Sequence, residues 1–412
     1  MKRFLKLVWY YSFWLWVRIA LSWYFSKIKI SGKENLVKDA PMIWGANHEN
    51  ALIDPLIKTT RFPLMIHYLV RADVFKNPIV KWFLNSLNLM PVYRIRDGVN
   101  SIKANEVIFR NCFEAFKKGE HLILYPEASH DPRRQRKVAK KGIARIALGA
   151  MHEPDAPEKL YIVPVGTNYS RHKWFRSSMH VVFGEPIEIK KIPETNENID
   201  KLRLQYEEAS SKCCVSFSRE KFEILDKVLL HDLNPEKILV PSELNAKAKV
   251  IEDKITEEQT SEILDLAEKM NHEGLAFPFE RRKYFFFNLL AALTLLPLVA
   301  VGTVLNLPTL LIGWKIMSGI KDKVYNDTIY FGVGLLLSTF AFWLTVGISW
   351  SLTGLWWVPL VAAVFFYFSL ISIGEFRRQW ILFKTNWKFT RSKNLASLYE
   401  RFVKLTEQVK AL

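Results

Sequence analysis

Two stretches of the chain carry no charged side chain at all: Tyr284–Trp314, 31 residues, and Thr328–Gly374, 47 residues. A helix needs about 20 apolar residues to cross the hydrocarbon core of a bilayer, so runs of this length belong in a membrane. The longer run suits two spans joined at Ser349-Trp350-Ser351-Leu352-Thr353-Gly354. The shorter run is too long for one upright span and too short for two, and Pro297 and Pro308 mark a bent or re-entrant hairpin. Three simple crossings would put either Arg281-Arg282-Lys283 or Arg377-Arg378 outside. Two hairpins keep both basic ends, with Lys315, Lys321 and Lys323, on the cytoplasmic side. The expectation is a hairpin pair in the cell (inner) membrane with the remainder of the chain cytoplasmic.

The net charge of +17, from 58 basic and 41 acidic residues, fits either nucleic acid or an anionic membrane surface. Its distribution decides. Residues 1–30 hold six basic and no acidic side chains, interleaved with Trp9, Trp14, Trp16 and Trp23. Residues 191–280 are net −8, which leaves +25 on the rest. Basic character beside apolar runs predicts anionic lipid as the partner and no nucleic acid. Half the residues are hydrophobic, which excludes a disordered chain. Cys112, Cys213 and Cys214 are too few and too badly spaced for a disulfide framework or a zinc site, so a reducing compartment and no metal are expected.

Residues 1–26 read as a helix, Phe4–Phe25, lying in the membrane interface, with a tilted span as the alternative. Arg18 and the missing cleavage site argue against a signal peptide. Residues 27–193 have the pattern of an α/β domain, a mixed sheet with flanking helices. Apolar runs predict strands at Met42–Ala46, Leu64–Val70, Leu122–Tyr125, Tyr161–Val165 and Met179–Phe183, and helical spacing predicts a helix over Ile102–Lys118. Residues 194–280 are charge-rich and predict two amphipathic helices, Tyr206–Leu230 and Pro241–Met270, in a helical insert. Residues 281–376 are the transmembrane helical region. Residues 377–412 read as a basic amphipathic helix for the membrane surface.

The strongest chemical signal is Asn47-His48-Glu49-Asn50-Ala51-Leu52-Ile53-Asp54-Pro55, directly after a strand. Asp54-Pro55 predicts a helix start with Asp54 as N-cap. One carboxylate oxygen would cap while the other holds a ring nitrogen of His48, making the second nitrogen a general base; a purely structural His–Asp pair is the alternative. Tyr125-Pro126-Glu127-Ala128-Ser129-His130-Asp131 ends another strand, where polar residues line the usual site of open α/β sheets. Seven basic residues follow between Arg133 and Arg145, Arg134 among them; they form either a solvated face or an anion site. Arg94 and Arg96, after Pro91-Val92-Tyr93, add a second pair able to clamp a phosphate.

In this order the pieces resemble the lysophospholipid/glycerol-3-phosphate branch of the glycerolipid acyltransferase superfamily over about residues 27–190. The blocks are Asn47, His48 and Asp54; then Pro91 to Arg94; then Tyr125, Pro126 and Glu127; then Ile162-Val163-Pro164-Val165-Gly166. Val182-Phe183-Gly184-Glu185-Pro186-Ile187 is like the strand that closes the domain. Two departures stand out. Five residues separate His48 from Asp54 instead of four, a spacing similar to that of a branch acylating small phosphorylated acceptors. Ala128 replaces the usual glycine, and the Thr-Arg-Ser that often follows is absent.

The resemblance implies direct transfer from acyl-CoA or acyl-carrier protein to a phosphorylated glycerol, without cofactor. His48 would be the base and Asp54 its orienting partner. Glu127, Ser129 and Pro164 would lie in the acceptor site, and Arg94, Arg96, Arg133 and Arg134 near its phosphate. An acyltransferase for an amino-lipid or glycolipid acceptor stays open, as does a transporter or scaffold, although the long apolar stretches lack the ionisable residues that mark a pathway. A serine hydrolase is disfavoured because there is no Gly-x-Ser-x-Gly elbow.

Overall fold

The computed structural model describes residues 2–93, 101–128, 131, 133–135, 137–172, 174–231, 236–275, 285–319 and 326–411. Eight strands among them form one mixed sheet: β1 (Lys27–Ser31), β2 (Met42–Ala46), β3 (Ile66–Arg71), β4 (Leu89–Val92), β5 (His121–Leu124), β6 (Tyr161–Tyr169), β7 (Ser178–Phe183) and β8 (Ile187–Glu188). The order is β1-β7-β6-β2-β5-β3-β4, with β8 paired to β6. β2, β5, β3, β4 and β6 are parallel, β7 and β8 pair antiparallel with β6, and β1 runs parallel to β7. β2 is buried along its whole length, as its uninterrupted apolar run requires of a central parallel strand. β1, Lys-Ile-Lys-Ile-Ser, sits at an edge, where lysines blunt the open ladder. β1, β4 and β8 are absent from the sequence-based expectation because none contains a sufficient apolar run.

Helices α1 (Lys2–Tyr24), α2 (Ile53–Thr59), α3 (Pro78–Ser86), α4 (Ser101–Lys117), α5 (Gly142–His152) and α6 (Asn196–Ser211) accompany the sheet. Alternation along β2 splits the core in two. Ile43 faces α4, α5 and α6 through Phe113, Ile143, Leu148 and Tyr206. Met42, Trp44 and Ala46 face α1 and α2 through Val17, Leu21, Ile53 and Ile57. Helix α1 therefore lies along the domain, one flank in its core. Helix α6, just beyond the boundary expected at residue 193, packs into the core on the Ile43 side through Ile199, Leu202 and Tyr206.

The expected helix Tyr206–Leu230 is broken. Residues 213–217 run across the sheet, held by the Asn168 side chain: Nδ2 donates to the Cys213 carbonyl at 3.0 Å and Oδ1 accepts from Val215 N–H at 2.7 Å. Gly166 permits this close crossing, since a Cβ there would sit 1.9 Å from the Cys213 carbonyl oxygen.

Beyond this crossing come α7 (Phe222–Leu230), α8 (Pro241–Lys254) and α9 (Glu257–His272), then α10 (Phe286–Leu305), α11 (Leu307–Ser318), α12 (Asn326–Thr353) and α13 (Val358–Arg391). Among the described residues, three helical segments are long and apolar enough to cross a membrane: Phe286–Leu305, Phe331–Thr353 and Val358–Arg391. Gly354, at φ +65°, ends α12 before the turn into α13. Helix α14 (Lys393–Lys410) does not present its apolar face to a membrane, as its amphipathicity had indicated. Leu395, Phe402 and Val409 are buried with Ile224, Ile251 and Ile263 of α7, α8 and α9 in a third core. An apolar stripe states only that a face is buried, not by what.

Candidate active site

β2 and β5 are neighbours in parallel register, Ile43 opposite Leu122 and Gly45 opposite Leu124. Their connections leave in opposite directions, β2 through α2 toward β3 and β5 through α5 toward β6, so the carboxyl ends of the two strands flank a switch-point crevice. The turn after β2 and the loop after β5 meet there, and Asp131 N–H donates to the His48 carbonyl at 2.9 Å.

Asn47 anchors the turn. Its Oδ1 accepts from Thr167 N–H at 2.7 Å, and its Nδ2 donates to the Thr167 carbonyl and to Glu49 Oε1, both at 3.0 Å. His48 Nδ1 lies 3.2 Å from Asp54 Oδ2. The same oxygen accepts from the N–H groups of Glu49 and Asn50 at 2.7 and 2.8 Å. Asp54 Oδ1 accepts from the Tyr169 hydroxyl at 2.6 Å. Asp54 is therefore not the N-cap. It sits inside the first turn of α2 and holds the preceding loop; Leu52 is the N-cap, without a side-chain bond, and Asn50 Oδ1 accepts from Leu52 and Ile53 N–H.

Asp54 is fully buried. Burial by itself would raise its carboxyl, but the nearby Lys58 ammonium and the bond from His48 outweigh it and hold Asp54 well below the ordinary carboxylate range. Lys58, one turn on along α2, is likewise fully buried; its Nζ is 3.4 Å from the Asn47 carbonyl and 5.0 Å from the centre of the Tyr125 ring. The His48 ring stacks on Tyr125 with centroids 4.0 Å apart.

Glu127 forms an ion pair with Lys137 at 3.2 Å and lies within hydrogen-bonding reach of His48 N–H. Burial, only partly offset by Lys137, pushes its carboxyl up to about 7. Glu49 is buried and pairs with His172. Beside these groups opens a cavity of about 260 Å³ whose wall includes Asn47, Glu49, Glu127, Lys137, Tyr206 and Cys214. Among the described residues no three His, Cys, Asp or Glu side chains converge as a metal site requires.

The structure thus brings His48, Asp54 and Glu127 together. Arg133 stands on the cavity rim, more than half exposed and bonded to Asp131. Arg134 is already committed: Nη1 pairs with Asp226 at 2.9 Å and Nη2 donates to the Tyr169 carbonyl at 2.8 Å. Pro164 is a buried residue of β6 opposite Gly45, away from the cavity wall. Its carbonyl accepts from Gly184 N–H at 2.8 Å, where β7 gives way to β8. Arg94, Arg96 and Ser129 lie outside the described residues. Sequence reasoning missed Lys58, Tyr169, Glu49 and His172. Lys58 was within reach, since it lies at i+4 from Asp54 on one helix face; Tyr169 and His172 come from a strand end more than 100 residues away, with no local signal.

Comparison with known proteins now fits this geometry. Residues 27–168 match the acyltransferase family model. The match covers the α/β domain alone, about a third of the chain, and there the chain is similar to acyltransferases. Three relatives illustrate the match. A chloroplastic 1-acyl-sn-glycerol-3-phosphate acyltransferase of Arabidopsis thaliana is 28% identical over 137 residues, 32% of this chain and 35% of that one. The 1-acyl-sn-glycerol-3-phosphate acyltransferase of Bacillus subtilis is 24% identical over 166 residues, 39% of this chain and 73% of its own. A glycerol-3-phosphate O-acyltransferase of Saccharomyces cerevisiae is 36% identical over 99 residues, 22% of this chain and 13% of that one. The match thus spans about a third of the plant relative and a smaller part of the yeast one. The crystal structure of the 1-acyl-sn-glycerophosphate acyltransferase from Thermotoga maritima superposes with a TM-score of 0.39 at 22% identity, covering 51% of this chain and 80% of that one.

Proposed function

We propose that this protein transfers a fatty acyl group from acyl-CoA or acyl-carrier protein to a hydroxyl of glycerol-3-phosphate or 1-acylglycerol-3-phosphate. The observation that carries the proposal is the His48–Asp54 pair at 3.2 Å, at a strand-end crevice beside Glu127. With Nδ1–H donated to Asp54, the basic nitrogen of His48 is Nε2. It takes the proton of the acceptor hydroxyl as that oxygen attacks the thioester carbonyl. The tetrahedral intermediate collapses, the C–S bond breaks, and the departing thiolate takes the proton back from His48. Asp54, buried and anionic, stabilises the imidazolium in between. Such base catalysis contributes about 10²–10⁴-fold, and the remainder comes from positioning two substrates.

Glu127 lies beside the His48 turn, where a partly protonated carboxyl can both donate to and accept from an acceptor hydroxyl. We assign the acceptor phosphate to Arg133 together with Arg94 and Arg96. Arg134 is assigned instead to docking α7, because its guanidinium is filled by Asp226 and a backbone carbonyl. The apolar helices would place the protein in the cell membrane with the active site cytoplasmic. The test is an assay of the purified protein with labelled acyl donors against glycerol-3-phosphate, 1-acylglycerol-3-phosphate and other lysophospholipids. Transfer to the first two supports the proposal; transfer only to an acceptor without phosphate moves it to the amino-lipid or glycolipid class.

A further inference from the structure

Helix α3 is well made and almost uncovered. Asn77 caps it, its Oδ1 accepting from Ile79 and Val80 N–H at 2.9 and 3.2 Å, and Pro78 occupies its first position. Yet none of its nine residues is buried. Ile79 and Trp82, one turn apart on the same face, are 77% and 68% exposed, with exposed Lys76 and Lys81 beside them. A capped helix that turns a tryptophan and an isoleucine outward calls for an apolar partner.

The neighbours say which partner. Trp9, Phe13, Trp16 and Trp23 form one stripe along α1. At one end, Trp9 Nε1 donates to Ser86 Oγ at 3.0 Å and Phe13 packs edge-on to Phe83, which fixes α3. At the other, Trp16 Nε1 donates to Thr339 Oγ1 at 3.0 Å and Trp23 packs on Tyr367 at 4.5 Å, which fixes the membrane helices α12 and α13. So α3 and the apolar helices lie along the same side of α1, on the order of 10–20 Å apart at 1.5 Å per residue. On the flank away from its buried Tyr10, Val17 and Leu21, α1 exposes Phe4, Val8, Leu15 and Ile19. Exposed apolar side chains thus occur on α3, on α1 beside it and on the candidate spans.

We propose that α3 is a second membrane contact, its Ile79–Trp82 face seated at the headgroup–acyl boundary of the bilayer that receives α12 and α13, with Lys76 and Lys81 at anionic headgroups. This rests on the reading of α12 and α13 as membrane helices. It has a consequence for the reaction. α3 follows β3 through the turn 72–77, and β3 is parallel to β5 and hence to β2. The first turn of α3 is therefore at the same end of the sheet as His48 and Glu127, and lipid contact there brings the mouth of the crevice to the membrane surface. An acyl chain could then pass between bilayer and site without crossing water.

The test uses the full-length protein in vesicles of phosphatidylcholine and phosphatidylglycerol. Ile79→Cys, Trp82→Cys, Leu344→Cys in α12 and Glu268→Cys on the exposed face of α9 each receive an environment-sensitive NBD label; the native cysteines are buried. Labels at 79 and 82 should shift to the blue and lose most of their emission to lipid-borne doxyl quenchers, while the label at 268 responds only to aqueous iodide. Iodide quenching at 79 and 82 equal to that at 268 overturns the proposal. Protection of 79 and 82 from both quenchers also overturns it, because a protein then covers the face. A label at 344 that escapes the lipid quencher removes the membrane reading itself, and this proposal with it.

Discussion

At the scale of single residues, the site is a buried charge cluster whose members hold one another. Asp54 receives four hydrogen bonds, from His48, two backbone N–H groups and Tyr169. His48→Ala should lower turnover by about 10²-fold or more in the acyl-transfer assay, with the fold of the variant checked by circular dichroism. Near-normal turnover would remove His48 from the mechanism. Glu127 gives a pH signature. Its folded-state value of about 7 lies above the ordinary 4.5, so the folded protein keeps a proton that the unfolded chain gives up. Its contribution to stability therefore falls as the pH rises from about 4.5 to about 7. Glu127→Gln should flatten the melting-temperature profile across that window; an unchanged slope would mean that this carboxyl titrates normally. Ala128 stands at φ +60°, where a Cβ is strained, so the sequence departure at this position has a visible cost. Ala128→Gly should stabilise the protein by about 0.5–1 kcal/mol, read as a higher melting temperature.

Secondary-structure elements bring the site together through close approaches that no local pattern announces. Gly45 of β2 lets the Tyr206 ring of α6 lie where a Cβ would be 2.4 Å from it. Gly166 of β6 lets residues 213–217 cross the sheet, backbone against backbone. That crossing sets one wall of the cavity, since Cys214, Val215 and Ser216 line it opposite Glu49 and Glu127. Gly166→Ala should therefore destabilise by about 3 kcal/mol and reduce activity along with it. Circular dichroism melting and the acyl-transfer assay check the two together. A variant with normal stability and activity would show that the crossing segment moves aside without consequence.

For the whole molecule, the third core constrains topology. It joins α7, α8 and α9, which precede the apolar helices, to α14, which follows them. Both would then lie on the same side of a membrane that the apolar helices enter, so an even number of crossings is the expectation for the stretch between them. α12 and α13, joined by the turn at Gly354, make one hairpin. α11 has 12 residues, about 18 Å at 1.5 Å per residue, too short to cross alone, which fits a re-entrant pairing with α10. α13 then continues beyond the bilayer, where Arg378 pairs with Glu236 at 3.0 Å and Phe389 enters the third core. A membrane-impermeant thiol reagent added to intact cells should modify Leu352→Cys and leave Lys384→Cys untouched. The reverse pattern would put the third core and the active site on the outer face; modification at both positions would break the even count.

What the chain determined locally is what depends on neighbours in sequence. The uncharged runs marked the membrane segment, because hydrocarbon tolerates only long apolar helices. Apolar runs placed β2, β5, β6 and β7 within a few residues, and His48 and Asp54 could be paired because one short turn joins them. The cap was misplaced at Asp54 because Asp before Pro is a common helix start, whereas here the carboxylate turns back on the loop and Leu52 takes the cap position. The partners of α14 were missed because amphipathicity records a buried face without naming what buries it. Tyr169, His172 and the 213–217 wall meet the His48 turn from more than 100 residues away along the chain. Long-range sheet order, here β6 beside β2 beside β5, brings them there, and no short stretch of the chain carries that order.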